Sequence, residues 1–321
     1  MNLELIKTTL QKQATHIERV HQNEGYSKIS LWLNAVKCCL LYRATPTDWM
    51  NFRMWEKSHR ALRRFITHPR CVALDRMFNP HEYKDIFTNK VRFNQEYSEF
   101  IHRKWIYTKE HDREEIKHFA EQIGDVVLKP IGLSSGRGIE LINITWTNID
   151  ELLDKVVGAD YLLEERAINV QSLQKLNPPS CQTLRVYTII VGDEVRFVGA
   201  AMRVGGGNSI VDNFHANGVA YPVDVQTGIV SDTGIDGEGN RYLKHPSTGI
   251  VMPGLQIPQW DEVLEFCRRA ALKNPRARFI GWDVTLTPNG CDMIEGNVNP
   301  NCNLLQIYIQ RGRWKEFKNL L

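Results

Sequence analysis

The sequence lacks several features that would place the protein in a well-defined class. Its seven cysteines are an odd number without a C-x-x-C spacing, so neither a disulfide framework nor a zinc site is expected. No apolar run reaches the length of about 18 residues that a transmembrane helix needs. A net charge of +3 is too small to indicate a nucleic-acid partner. Because no basic-then-apolar signal sequence is seen, we expect a cytoplasmic protein.

Two common nucleotide-binding fingerprints are also missing. The strand-like segment VVLKP, which contains Lys129, leads into a loop rich in Gly and Ser, but no G-K-[ST] opens a helix as in a Walker loop. A second strand, GIELINI, follows the loop where a dinucleotide fingerprint would have a helix. Such a loop can direct backbone N–H groups at phosphate oxygens, with Lys129 adding a point charge. The alternative is a flexible hairpin loop.

The order of elements along the chain predicts an α+β protein. The length of 321 residues suggests about two domains. Residues 1–84 have helical spacing, with a helix-start signal at residues 45–48. From about residue 120 the pattern changes to strands and turns, including a long hairpin over residues 183–207 that turns at Gly192-Asp193. An amphipathic helix is predicted over residues 260–273. Helices followed by antiparallel hairpins are typical of the α+β class.

The predicted helix after residue 45 alternates aromatic and basic residues. Its sequence WMNFRMWEKSHRALRRFI includes Trp49, Phe52, Trp55 and Phe65 among five Lys and Arg residues. This pattern is compatible with a basic, aromatic surface for a sugar phosphate or an anionic membrane. It is equally compatible with core aromatic residues and a solvated basic face.

The segment GWDVTLTPNGCDMIEGNVNPN, residues 281–301, reads as a hairpin with acidic residues inside its strands. A three-residue loop at 288–290 would place Asp283 opposite Glu295, whereas a two-residue Asn-Gly turn would shift the pairing by one. The strand period then puts Thr285, Met293 and Asn297 on the same face as these carboxylates. Like charges opposite each other are destabilising, and a divalent cation such as Mg²⁺ would relieve the repulsion. The alternative is a solvated polar face paired with Lys or Arg.

Other charged residues lie in or beside apolar strands. Glu164 and Glu165 end the strand DYLLEE, where a carboxylate could meet a ribose or simply form a charged turn. Arg185 in TLRV and Arg203 in AMRVG lie in β-rich segments. A buried Arg needs an anionic partner, which is either a structural carboxylate or a ligand phosphate. Together with Lys129 and the acidic hairpin, these residues favour a nucleoside triphosphate with Mg²⁺.

The order of these segments resembles the ATP-grasp superfamily. Within it, the segments NPPSCQTLRVYT, AMRVGGG, IVDNFHANG, HPSTG, IGWDVTLTPNG and IEGNVNPN are similar to the sugar-transfer-associated ATP-grasp family. The resemblance implies an ATP-grasp domain over residues 85–321, in which two α+β subdomains sandwich ATP and a small subdomain at about 120–168 is mobile. The helical region 1–84 stands in place of the small α/β domain of many relatives.

The resemblance also implies a nucleotide site. Its phosphate-binding residues would be Lys90 and Lys129, although Asn89 stands where many relatives have Asp before the first Lys. The loop that closes over the phosphates would contribute Ser134, Ser135, Gly136 and Gly138. The adenine and ribose end would contain Glu164 and Glu165.

Metal and catalytic roles follow from the same resemblance. One or two Mg²⁺ ions, for which Mn²⁺ can substitute, would be held by Asp283, Glu295 and Asn297. Charge on the transferred phosphoryl group would be stabilised by Arg185, Arg203 and Lys129. We rank Asp212 and Asn213 below these residues, and we expect His215 and His245 to be hydrogen-bonded loop residues rather than general bases.

The activity that the resemblance implies is carboxylate–amine ligation through an acyl phosphate. The partners would be ATP, a carboxylate substrate and an amine or similar nucleophile, and the family's name suggests that one of them bears a sugar. A kinase that transfers the γ-phosphoryl group to a hydroxyl is the alternative, because a fold does not determine its chemistry. A protein that only binds nucleotide is the third interpretation.

Overall fold

The computed structural model describes residues 3–133, 136–210, 212 and 218–320. The chain forms two compact units: Met1–Met77 with Asn299–Leu321, and Phe78–Val298. The predicted domain boundary after residue 84 therefore lies inside the second unit. The last residues, which were predicted to belong to the second domain, group with the N-terminal helices, and the domain bounds of 1–84 and 85–321 remain a prediction.

The first unit is helical, as the sequence predicts. Its helices are α1 Leu3–Glu24, α2 Lys28–Tyr42, α3 Pro46–Asn51, α4 His59–Leu62, α5 His68–Phe78 and, near the C-terminus, the helix Trp314–Lys318. The helix-start signal is confirmed, since Thr45 and Asp48 form a reciprocal capping box with Pro46 in the first turn. Asp48 is buried and also accepts from the backbone N–H of His68 at 3.0 Å. One carboxylate thus secures both α3 and the start of α5.

The aromatic residues that follow residue 45 form core rather than surface. Trp49, Phe52 and Phe65 are 1% exposed or less, and only Trp55 is half-buried. The predicted single helix is broken by a left-handed residue, Arg53, and by the separate helix α4. Of the two interpretations offered by the sequence, these rings therefore support the packed core.

The C-terminal segment packs within the first unit through its backbone and one buried amide. Gln306 accepts from the N–H of Ile66 at 2.8 Å and donates to the carbonyl of Ile66 at 3.1 Å. A Cβ at Gly312 would lie 2.1 Å from the carbonyl carbon of Arg64, so only glycine allows this approach. These contacts explain why residues 299–321 join the N-terminal helices.

The second unit contains a four-stranded and a seven-stranded antiparallel sheet, here called the small and the large sheet. The small sheet has the strand order β1-β4-β2-β3, with β1 Trp105–Tyr107, β2 Asp125–Pro130, β3 Glu140–Asn143 and β4 Tyr161–Glu165. Its core includes residues of α8 and α9, which span Arg113–Ile123 and Ile149–Val156. The predicted strands around the Gly/Ser loop and at DYLLEE are confirmed.

The large sheet carries the two predicted hairpins. Its order is β11-β10-β5-β6-β7-β8-β9, with β5 Thr183–Val191, β6 Glu194–Val204, β7 Val219–Val223, β8 Gly234–Asp236, β9 Arg241–Tyr242, β10 Phe279–Thr287 and β11 Gly290–Asn297. The first hairpin turns at Gly192-Asp193, as predicted, with Gly192 at φ 59°. The remaining helices are α6 Lys84–Thr88, α7 Lys90–Glu96, α10 Gln171–Gln174 and α11 Trp260–Lys273; α11 matches its prediction.

The β10–β11 register corrects part of the prediction. Asp283 does pair with Glu295, but Thr287 pairs with Gly290, so the loop contains two residues rather than the predicted three. A β-bulge lies between Asp283 and Val284, where Ile294 of β11 has no partner on β10. This extra residue offsets the shorter loop, so Asp283 still pairs with Glu295 as predicted. As a consequence, Met293 lies in the apolar core and not on the carboxylate face.

Among the described residues, no helix is long and apolar enough to cross a membrane.

Candidate functional site

The first part of the site is a group of ion pairs on the large sheet. Asp283 on β10 lies directly opposite Arg185 on β5 and Glu295 on β11. Arg185 donates from Nε to Oδ1 of Asp283 at 2.5 Å and from Nη2 to Oδ2 at 2.8 Å. Asp283 is completely buried, so its charge depends on such a partner. Burial alone raises the pKa of Asp283, but Arg185 and Arg203 hold that pKa well below its ordinary value.

Arg203 extends this group toward a second carboxylate. Its Nη2 lies 3.0 Å from Oδ2 of Asp283 and 3.6 Å from Oδ1 of Asp212. Both Nε and Nη2 also donate to Oγ1 of Thr183, at 3.0 and 2.8 Å. Asp212 accepts from the N–H of Thr183 at 2.8 Å and from its hydroxyl. Arg203 therefore joins both buried carboxylates.

Glu295 and Asn297 complete what we call the large-sheet cluster: Arg185, Arg203, Asp212, Asp283, Glu295 and Asn297. Nδ2 of Asn297 donates to Asp283 at 3.3 Å and to Glu295 at 3.2 Å. The three predicted metal ligands are thus brought together. Burial raises the pKa of Glu295, and the adjacent Asp283 carboxylate raises it further, although both guanidinium groups act in the opposite direction.

In one respect, the large-sheet cluster fits a hard divalent cation. Glu295 makes no ion pair with either Arg in the described residues, and its raised pKa shows that the two guanidinium groups compensate its charge only in part. A cation that takes oxygen ligands would supply that compensation. Asp283 and Glu295 contribute two carboxylates and Asn297 an amide. Within the described part of the chain, no group of three or more His, Cys, Asp or Glu side chains is arranged for a metal.

The second part of the site is a network on the small sheet, which we call the small-sheet cluster: Arg103, Lys129 and Glu164. Lys129 on β2 places Nζ 2.5 Å from Oε2 of Glu164 on β4. The same oxygen accepts from Nε of Arg103 at 2.8 Å, and Asn94 donates to Oε1 at 3.3 Å. Burial raises the pKa of Glu164, but Arg103 and Lys129 lower it to about 2. Glu164 is therefore a buried anion with two cations.

Arg103 was missed by the sequence analysis, and it links the two sheets. Besides Glu164, it lies 3.2 Å from Oδ1 of Asp292 on β11 and donates to the carbonyl of Met293 at 2.7 Å. Asp292, also missed, accepts from the N–H of His102 at 2.9 Å. The side chains of Arg103, Glu164 and Asp292 are 3% exposed or less. A single guanidinium group thus joins β4 of the small sheet to β11 of the large one.

Lys90 lies between the two clusters at the start of α7. Its Nζ donates to the carbonyls of Pro130 and Leu133 at 3.1 and 2.6 Å. Burial lowers the pKa of Lys90, while Glu295 acts to raise it. Asn89 caps α7 by accepting from two backbone N–H groups, at 3.0 and 3.1 Å, so the amide serves as a helix cap. Lys90 therefore lies within electrostatic reach of both clusters.

The other residues predicted to bind the nucleotide belong to neither cluster. Glu165 is half-buried and accepts from the N–H of Lys104 at 3.1 Å. Adjacent residues of a strand face opposite sides, so it does not join Glu164 in the cluster. Gly136 and Gly138 both have φ 72°, a conformation that favours glycine. Ser134, Ser135, Asn213 and His215 lie outside the described residues.

His245 is a buried turn residue. Its N–H donates to the carbonyl of Ile250 at 2.8 Å, and its own carbonyl accepts from Gly249 at 2.8 Å. Its Nδ1 is 3.3 Å from the hydroxyl of Thr248, and burial lowers the pKa of its ring. It makes the loop hydrogen bonds that the sequence analysis expected.

Comparison with known proteins gives a family. The sequence model of a family described as sugar-transfer associated ATP-grasp matches residues 70–320. No curated protein matches the chain in a sequence search.

Three solved structures match parts of this chain. The ATP-grasp ligase PsnB, complexed with a minimal precursor, is 15% identical over 75% of this chain and 61% of its own, with a TM-score of 0.45. D-alanyl-alanine synthetase A from Vibrio cholerae O1 biovar eltor is 13% identical over 73% of this chain and 63% of its own, with a TM-score of 0.46. The N5-carboxyaminoimidazole ribonucleotide synthetase purK, in its ADP complex, is 12% identical over 68% of this chain and 46% of its own, with a TM-score of 0.43. The match covers less than two thirds of each of these three chains.

Proposed function

The chain belongs to the sugar-transfer associated ATP-grasp family, and from this premise we propose that it is an ATP- and Mg²⁺-dependent ligase. The proposed reaction joins a carboxylate to an amine or similar nucleophile through an acyl phosphate. A sugar or glycan precursor is the proposed substrate class, as the family's description suggests. The observation that carries the proposal is the large-sheet cluster, in which two buried guanidinium groups adjoin two carboxylates and an amide.

The proposed chemistry requires no nucleophilic side chain. A carboxylate oxygen of the substrate attacks the γ-phosphorus of ATP, and the bond to the β,γ-bridging oxygen breaks, so that ADP leaves. The amine nitrogen then attacks the acyl carbon, the bond from that carbon to the phosphate oxygen breaks, and the amine loses a proton to water. The protein's task is to align the reactants and neutralise charge.

The large-sheet cluster would stabilise the transferred group. Arg185 and Arg203 are the proposed electrostatic stabilisers of the phosphoryl oxygens. Asp283, Glu295 and Asn297 would hold Mg²⁺, which neutralises phosphate charge when bound. Because Asp283 already binds both Arg side chains, it would also fix their positions.

The small-sheet cluster would bind the nucleotide. Lys129 and Lys90 are the proposed phosphate ligands. Lys129 contacts Glu164, which Arg103 neutralises independently. Lys129 can therefore exchange this carboxylate for a phosphate without leaving a buried anion uncompensated. This makes Arg103 a positioning residue in our proposal.

A hydroxylamine trap tests the reaction. Purified protein is incubated with ATP, Mg²⁺, hydroxylamine and a panel of uronic acids, and free phosphate, ADP and hydroxamate are measured. A ligase is expected to release phosphate in proportion to hydroxamate, with ATP consumption depending on the carboxylate. A stable phosphorylated product with ADP and no free phosphate would instead identify a kinase.

One variant and a matched control test the proposed metal ligand Glu295. Glu295→Gln keeps the size of the side chain but removes its charge, and we expect ATP turnover to fall by about 100-fold or more. Glu194→Gln, at an exposed ion pair on the same sheet, is the matched control. Unchanged turnover in Glu295→Gln, or equal stabilisation by ATP with and without Mg²⁺, would contradict the metal assignment.

A further inference from the structure

Helix α2 in the first unit is apolar on two opposite sides. One side packs into the core through Leu31, Ala35, Cys38 and Tyr42. The other side exposes large apolar side chains: Ile29 is 74% exposed, Leu33 68%, Val36 51% and Leu40 75%. A helix that is apolar on all sides is normally covered on all sides. The core covers only one side of α2.

The exposed residues form one continuous stripe. Ile29, Leu33, Val36 and Leu40 are spaced four, three and four residues apart, which places them along a single line on a helix. We call this stripe the α2 face. Contiguous exposed apolar patches mark surfaces that bind a protein or a membrane. With 15 residues, α2 is shorter than the roughly 20 residues that crossing a bilayer requires.

Charge distinguishes the two kinds of partner. Residues 25–64 contain eight Lys and Arg but only two acidic residues. Asp48, one of the two, is buried, and Glu56 is paired with Arg53. The segment that contains α2 is therefore strongly basic.

Basic side chains adjoin both the middle and the C-terminal end of the α2 face. Lys37 lies on α2 itself, and Arg43 follows its last residue as the C-cap. Among the described residues, no carboxylate pairs with Lys37 or Arg43, whereas Lys28 is paired with Glu18.

From these observations we propose that the α2 face binds the surface of an anionic membrane. The apolar stripe would enter the boundary between headgroups and acyl chains, and the basic side chains would contact lipid phosphates. A second copy of this chain would present the same stripe and the same cations, so its charges would oppose rather than complement them. The inference does not depend on the proposed ligase activity.

Vesicle flotation of the full chain, without nucleotide, tests this binding. We expect the protein to float with vesicles of mixed phosphatidylcholine and phosphatidylglycerol and not with phosphatidylcholine alone. Leu33→Ser/Leu40→Ser should weaken the partition about tenfold or more, since two exposed Leu side chains no longer enter the bilayer. Lys37→Gln/Arg43→Gln should weaken it about fivefold for each charge removed.

The control is Leu243→Ser/Leu272→Ser, which removes two exposed Leu side chains from the second unit. It should float like the wild type. Failure of the wild type to float with anionic vesicles would overturn the proposal, as would flotation that Leu33→Ser/Leu40→Ser leaves unchanged. A dimer in light scattering that this variant converts to a monomer would also overturn it, because a second copy would then cover the α2 face. Hydrogen exchange that slows over residues 28–42 on adding anionic vesicles would support it.

Discussion

The large-sheet and small-sheet clusters compensate their buried carboxylates in different ways. In the large-sheet cluster, Arg185 and Asp283 lie directly opposite each other on neighbouring strands, so the pairing of β5 with β10 builds the ion pair. In the small-sheet cluster, Glu164 depends on Arg103, which precedes β1 and also contacts the large sheet. Strand pairing sets the first arrangement, whereas the packing of two sheets sets the second.

Exposure separates the cations only in part. The side chain of Arg103 is 3% exposed and that of Arg185 9%, whereas those of Arg203 and Lys129 are 12% and 13% exposed. Lys129 shares Glu164 with Arg103, while Asp283 is shared by two Arg side chains that are both fixed in strands. We infer that Lys129 is the cation most readily exchanged between a protein carboxylate and a ligand. The following changes test this difference.

Asp283→Asn should have the largest effect. Two buried guanidinium groups would lose their shared carboxylate, and removing one partner of a buried pair costs about 3–5 kcal/mol. Urea denaturation followed by circular dichroism measures the change. Glu194→Gln, at an exposed pair on β6, should change stability little and serves as the control. A loss as small as that of the control would mean that strand pairing does not make this ion pair important.

Arg103→Met should destabilise the protein by about 3 kcal/mol, because Glu164 and Asp292 would both lose a buried cation. The same denaturation experiment applies. Adding Glu164→Gln to this variant should restore part of the stability, since one unpaired anion is then removed. If the double variant were less stable by the sum of the two single losses, the two residues would not interact as proposed.

The pH dependence of stability should carry the signature of Glu164. Its pKa is lowered from 4.5 to about 2 by Arg103 and Lys129 against the effect of burial. A carboxyl group whose folded pKa is lowered stabilises the fold above its unfolded pKa, and this contribution disappears as pH falls from 4.5 toward 2. Glu164→Gln should therefore be less stable than the wild type at neutral pH, and the difference should narrow in acid. Urea denaturation across this range measures it; a constant difference would contradict the lowered pKa.

The contribution of Glu295 to the pH dependence of stability should have the opposite sign to that of Glu164. Its pKa is raised by burial and by Asp283, so its contribution to stability falls as pH rises through that pKa. Glu295→Gln should gain stability relative to the wild type as pH increases. Urea denaturation at a series of pH values measures this change and distinguishes Glu295 from Glu164.

Local sequence signals predicted much of the fold because they act over a few residues. Gly192-Asp193 between β-branched runs was sufficient for the β5–β6 hairpin, and the apolar period of residues 260–273 for α11. The β10–β11 loop was predicted wrongly because the Pro-Asn-Gly sequence allows several turns and a bulge has no clear sequence signal. The bulge at Asp283/Val284 returned Asp283 to its position opposite Glu295 despite the different loop.

The missed residues depend on contacts that are distant in the sequence. Arg103 is one Arg among many, and its partners Glu164 and Asp292 become visible only when the two sheets are packed. Asp292 gave a weak signal, since an acidic residue inside an apolar strand requires a partner. The predicted register placed Met293, and not Asp292, on the carboxylate face, whereas Asp292 pairs with Thr285 in the structure.

Lys129→Met should have the smallest effect on stability and a clear effect on ligand binding. Arg103 and Asn94 still compensate Glu164, so we expect a loss of only about 1 kcal/mol in the free energy of unfolding, which is the usual net contribution of one hydrogen bond. If Lys129 binds phosphate as proposed, affinity for ATP should fall about tenfold or more, which isothermal titration calorimetry measures. Lys109→Met removes an exposed Lys that is paired with Asp160, and it should change neither quantity appreciably. A loss of stability equal to that of Arg103→Met would mean that both cations are structural. The small-sheet cluster would then be as fixed as the large-sheet cluster, and Lys129 would not be free to exchange its carboxylate for a phosphate.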